Sequence, residues 1–123
     1  MNITIDKQEK YALLKIQEAK LTSVVAPELK AEIVVLHHEH FKNMIFDISE
    51  VQYCDSSGLS AILVGFRMCR DNNGTFVLTG AQEHVKKLIS ISQLDSMLHQ
   101  VPTVNEAVDL IFMEEVEKQI TKE

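Results

Sequence analysis

A chain of 123 residues with 46% hydrophobic content and a formal net charge of −6 is long enough for one domain with a real core. The acidic balance argues against a nucleic-acid-binding surface and against docking on anionic membrane, and no apolar run approaches membrane-spanning length. The first residues, MNITIDKQEKYALLKI, lack the basic-then-apolar pattern of a secretion signal, and Cys54 and Cys69 are expected as free thiols in a reducing cytoplasm.

Asn2–Asp6 alternates Ile3 and Ile5 with polar neighbours, as a half-buried strand does. Lys7–Lys10 is a polar turn and Tyr11–Ile16 a second strand, so the two are expected to form a hairpin. Gln17–Ser23 is predicted as a loop. Pro27 suits the first turn of a helix, which carries Leu29, Ile33 and Leu36 on one stripe and ends near His40. Met44–Ile48 (MIFDI) is apolar at successive positions, which predicts a strand covered on both faces.

Asp55, Ser56, Ser57 and Gly58 open a helix predicted to run to about Asp71, with Asn72–Gly74 ending it. Thr75–Thr79 is the next strand, and Gln82–Ile91 a helix with Val85, Leu88 and Ile89 inward. Ser92–Val101 is ambiguous: Leu94–Leu98 reads as a turn of helix, and Leu98–Val101 as a short edge strand. Thr103 and Glu106 make a capping box, and the last helix places Val104, Ala107, Val108 and Ile111 inward. Residues 113–123 are expected as a fraying charged helical tail of a single domain, 1–123. The order ββαβαβα(β)α predicts an α/β fold, a mixed β-sheet with helices packed against it.

At 100° per residue, Leu59, Ile62, Phe66 and Cys69 share one side of the helix after Asp55, with Leu63 at its edge. The opposite side holds Ser57, Ser60, Val64, Arg67, Met68 and Asp71, with Ser56 at its border. Val64 and Met68 are apolar where a lone domain is wet. They form a candidate docking stripe above the serines, or else pack under a neighbouring segment. The first turn of a helix has backbone N–H groups without intrahelical partners, and its dipole favours negative charge. A phosphate on a serine there is well placed.

The stretch CDSSGLSAIL, Cys54–Leu63, resembles the D-S-[S/T]-G-L signature of anti-sigma factor antagonists of the STAS domain. The preceding MIFDISEV and the later TFVLTGAQEHVKKLI match that family's layout, and the resemblance covers essentially the whole chain. It implies the STAS (SpoIIAA-like) fold. It also implies a cytoplasmic regulatory module that binds an anti-sigma factor serine kinase when unphosphorylated, frees the sigma factor, and is switched off by phosphorylation and restored by a phosphatase. By the same resemblance Ser56 is the phosphosite. Asp55, Ser57, Gly58 and Ser60 join it in partner binding with Val64, Arg67, Met68, Thr22 and Ser23. The chain departs from the family where a Gly-x-x-Asp pattern often follows the second strand: here it reads Ala19-Lys20-Leu21-Thr22, with Thr22 in the acidic place. The second implied class is a STAS accessory subunit of a lipid-transport ABC complex, which stabilises an ATPase without phosphorylation.

Other constellations carry less. Cys54 stands where the nucleophile elbow G-x-S-x-G needs its first glycine, and no base or oxyanion hole is evident, so Ser56 and Ser57 are not read as catalytic. His37 and His40 are spaced i, i+3, but H-E-x-x-H spacing is not met and no further Cys/His cluster completes a metal site. The bland reading is a solvated helix C-terminus, where partly charged histidine suits the dipole. Cys54 beside Asp55 reads as a small buried residue, because the carboxylate disfavours thiolate. No phosphate-cradling glycine loop exists, so no cofactor is expected.

Overall fold

In the computed structural model, which describes residues 2–121, the elements follow in the order β1 (Ile3–Lys7), β2 (Ala12–Ile16), β3 (Lys20–Leu21), α1 (Ala26–His38), β4 (Met44–Asp47), β5 (Tyr53–Cys54), α2 (Ser56–Asp71), β6 (Phe76–Thr79), α3 (Glu83–Ile91), β7 (His99–Val101) and α4 (Val104–Thr121). The main sheet has five strands in the order β1-β2-β4-β6-β7. β1 and β2 form the expected antiparallel hairpin, with Ile3 opposite Ile16. Every other pairing in this sheet is parallel.

Alternation sorts the side chains to two faces. Leu14, Phe46 and Leu78 are mutual partners in the register and lie in the larger core with Leu29, Ile33 and Leu36 of α1, Ile62 and Cys69 of α2, and Val85 and Ile89 of α3. Leu13, Ile45 and Val77, one residue earlier in each strand, face the other way, with Ala107 and Ile111 of α4. Met44, Ile45 and Phe46 are fully buried, which matches a strand covered on both faces. Phe46 meets Phe76 edge to face at 4.7 Å between centroids. Gly65 lets α2 settle there, since an added Cβ would stand 2.8 Å from Phe46 Cζ. Buried Asn43 ties the strand starts together: its Nδ2 donates to Lys10 O at 2.9 Å, and its Oδ1 accepts from Thr75 N at 2.7 Å.

Several expectations are corrected. The loop predicted over Gln17–Ser23 contains β3, which pairs in parallel with the equally unforeseen β5 to make a second, two-stranded sheet. Two residues are too few to show any periodicity. α1 stops at His38, with Glu39 as its cap and His40 at φ 70°, so His37 and His40 do not share a helical face. The single turn read at Leu94–Leu98 forms, Leu98 N donating to Leu94 O at 3.0 Å, and the short edge strand read after it runs over His99–Val101. The Thr103–Glu106 capping box forms as read, Glu106 N donating to Thr103 Oγ1 at 3.2 Å and Thr103 N to Glu106 Oε2 at 3.2 Å. α4 continues as regular helix to Thr121 through most of the expected tail; residues 122 and 123 of that tail lie outside the described residues.

Candidate functional site

The corner between β5 and α2 is assembled by β3. Ala19 O accepts from Gln52 N and Tyr53 N at 2.8 and 3.1 Å, Leu21 pairs with Cys54, and Asp55 N donates to Leu21 O at 3.3 Å. This pairing brings Thr22 and Asp55, 33 residues apart in sequence, to adjoining strand ends. Gly58 permits it: an added Cβ would overlap the carbonyl oxygen of Leu21 and come within 2.8 Å of Cys54 Sγ. The glycine of the D-S-S-G-L run is therefore required by close approach, since its backbone is ordinary helix.

Asp55 is the N-cap of α2, in extended backbone, and its Oδ1 accepts from Gly58 N at 2.9 Å. The carboxylate thus fills one donor of the first turn. Ser56, the first helical residue, is exposed; Ser57 and Ser60 are half-buried. Ser56 stands, exposed, at the positive end of the helix dipole. Cys54 donates its thiol to Asp55 O at 3.4 Å, and burial, with the Asp55 charge second, pushes that thiol up to about 11. It is a packed side chain under the corner, as the sequence suggested.

Thr22 closes the turn into α1. Its carbonyl accepts from Val25 N and Ala26 N at 3.0 and 2.8 Å, and its hydroxyl accepts from Val24 N at 3.4 Å. The residue that replaces the family's acidic position thus serves its own backbone. Ser23 is exposed beside it.

The docking stripe expected on α2 is not free. Val64 and Met68 are half-buried and packed on the larger core, and α1 lies alongside α2. Of the residues grouped with them, Arg67 is exposed. The exposed apolar residues at the corner are instead Val24, 85% exposed in the β3–α1 turn, and Tyr53, 44% exposed in β5. Tyr53 stacks on His84 of α3 at 5.1 Å between ring centroids. Sequence reading missed both. The one available signal was the Val24–Val25 pair, of which a turn can send only one inward.

Among the described residues, no three His, Cys, Asp or Glu side chains cluster as a bound metal ion requires. His37 Nδ1 lies 3.4 Å from Asn72 Nδ2, beside exposed His38 and His40. No helix among the described residues is long and apolar enough to cross a membrane.

Comparison with known proteins places this arrangement. A family model for the STAS domain matches residues 2–107. The chain belongs to the STAS-domain family. The anti-sigma-B factor antagonist of Staphylococcus aureus is 22% identical to this STAS domain over 110 residues, covering 89% of this chain and 97% of that one. The structure of an anti-sigma factor antagonist from Mycobacterium paratuberculosis superposes with a TM-score of 0.79 at 17% identity, over 89% of this chain and 92% of that one. The phosphorylated form of the Bacillus cell fate determinant SpoIIAA gives 0.71 at 17% identity, over 89% and 99%. The STAS fold, with its mixed sheet and four helices, is that of the present chain.

Proposed function

We propose that this STAS domain is an anti-sigma factor antagonist that works by partner switching at Ser56. Unphosphorylated, it binds an anti-sigma factor serine kinase through the corner formed by Asp55, Ser56, Ser57 and Gly58, the Thr22–Ser23 turn, and the exposed side of α2 at Ser60 and Arg67. Phosphorylation of Ser56 dissolves the complex, and a phosphatase restores it. One observation carries the reading: an exposed serine at the first position of α2, beside a carboxylate already engaged as the cap. The names of the relatives support the antagonist role, and the phosphorylated form of SpoIIAA supports the modification.

The chemistry of the switch is local. A phosphate adds about −1.5 to −2 charges at neutral pH. On this chain the helix N-terminus favours that charge, partly offset by repulsion from Asp55. Within an interface it is a dianion to be desolvated, which costs far more than burying a hydroxyl. A penalty of about 3 kcal/mol already lowers affinity more than a hundredfold. The fold need not move.

Peptide mapping of the protein from its native cell tests the modification: the expected result is a single added phosphate, on Ser56. In binding assays with the kinase, Ser56→Ala should hold the binding form and Ser56→Asp should weaken it. If both variants bind as the parent does, Ser56 is not the switch. Phosphate absent in every growth condition, with an ATPase recovered in its place, would support the lipid-transport accessory subunit. Thr22, uncharged where the family signature is acidic, favours that second reading.

A further inference from the structure

We propose that the outer face of α4, together with the adjoining back of β2, docks a basic amphipathic helix of another protein. The surface is separate from the Ser56 corner and does not depend on it.

α4 is apolar on two opposite sides. Ala107 and Ile111 face the sheet and are fully buried. On the far side, Phe112 is 44% exposed, Met113 68%, Val116 58% and Ile120 67%. At 100° per residue these four fall within a stripe about 100° wide, roughly opposite the buried one. A helix side that meets only solvent has no reason to carry a second seam. The stripe is about 12 Å long at 1.5 Å per residue, enough for two turns of a partner helix.

The sheet shows where that partner fits. α4 packs on β4, β6 and β7. Among the described residues no helix covers the backs of β1 and β2: Thr4 and Asp6 are exposed, and Tyr11 and Leu13 are half-buried at the rim of the α4 core. Glu115 marks the side of α4 nearest this gap, since it pairs with Lys42 at 3.2 Å and shares a cavity with Glu9 and Lys10. Phe112 lies about 60° from Glu115 around the helix, next along from that side. A helix laid beside α4 covers Phe112, Val116, Tyr11 and Leu13 together and completes the layer that three helices make on the other face.

Charge selects the occupant. Asp109 continues the line of the stripe one turn before Phe112, Glu117 flanks it, Asp6 stands across the gap, and all three are exposed. None of the three joins an ion pair among the described residues. Three of the nearby cations are engaged: Lys118 Nζ donates to Asn73 O at 2.7 Å, Lys42 holds Glu115, and Lys15 lies 3.7 Å from Glu50. A second copy of this chain would bring the same acidic set against itself, with exposed Lys10 offset by its neighbour Glu9. A helix with an apolar seam and Lys or Arg on its flanks satisfies both the stripe and the carboxylates.

The test uses two synthetic helical peptides of about 18 residues with the same leucine seam, one flanked by lysines and one by glutamates. Binding is read by fluorescence anisotropy and by amide shifts in the labelled protein. The lysine peptide should bind at least about tenfold more tightly than the glutamate peptide, weaken as salt rises, and shift amides of α4 and β2. The double variant Phe112→Ser, Val116→Ser, at exposed positions, should lower that affinity at least about tenfold with an unchanged circular dichroism spectrum. Ser56→Asp should leave it unaltered. Equal binding of both peptides, no binding of either, or shifts confined to the Ser56 corner would overturn the proposal. So would a dimer in size-exclusion light scattering that Val116→Asp converts to monomer, which would assign the face to a second copy.

Discussion

Leu14, Phe46 and Leu78 sit side by side under three helices, whereas Leu13, Ile45 and Val77, one residue earlier in each strand, sit under one. The first face is closed to the point that Gly58 and Gly65 cannot take a methyl group without displacing a neighbour. The second leaves Leu13 half-exposed and a helix whose outer side is apolar. The difference teaches how one small fold can serve two purposes. The closed face positions the Ser56 corner, where the proposed modification would change charge and not the fold. An open face keeps apolar surface available for another molecule.

Core truncation is the largest test of that contrast. Phe46→Ala should cost ~3–5 kcal/mol in urea denaturation, while Ile111→Ala on the α4 side should fall near the low end of the ~2–5 kcal/mol range for such changes. Equal losses would show the two faces to be equally well packed and would break the comparison. Gly58→Ala comes next, at ~1–3 kcal/mol, because the methyl group must displace the Leu21 carbonyl. The same substitution should free the β3–β5 pair and speed alkylation of Cys54, a readout that simple loss of stability at a distant site would not produce.

Alkaline pH probes the closed face through its two thiols. Burial raises the Cys54 thiol to about 11, and burial raises Cys69 to about 12, against an ordinary 9.0. Both thiols stay protonated in the folded chain while the unfolded chain ionises. The folded state therefore binds more protons above pH 9, and stability falls as pH rises from there through the folded values. The slope approaches ~1.4 kcal/mol per pH unit for each thiol. Cys54→Ala and Cys69→Ala should each flatten that slope; an unchanged slope in both variants would mean that neither thiol is shielded. Asp55→Ala is the smallest effect, at ~1 kcal/mol for a lost N-cap. It should leave the α4 face untouched in amide shifts.

Much of this molecule was readable one segment at a time. The alternation of Ile3 and Ile5, the apolar run Met44–Ile48, the T-x-x-E box at Thr103 and the cap-like Asp55 are each local, and each appears where read. The D-S-S-G-L run located the corner through its local cap, Asp55, and its likeness to the family signature, although its glycine answers a distant segment, the Leu21 carbonyl. The rest of the corner was not local. β3 and β5 are two residues each and exist because they pair with one another across more than 30 residues of chain. Thr22, Val24, Tyr53 and His84 become neighbours of that corner only through this pairing and through the packing of α3 on β5.

The same division governs the apolar stripes. Sequence alone determined that Val64 and Met68 share one side of α2, and that Ala107 and Ile111 share one side of α4, because helical geometry fixes angles from spacing. Tertiary structure decided which stripes are covered. α1 lies along α2, so the stripe at Val64 is packed; nothing among the described residues lies over Val116, so that stripe is bare. Side-chain direction follows from the backbone of one segment. Burial follows from what a distant segment places against it, and periodicity carries no record of that.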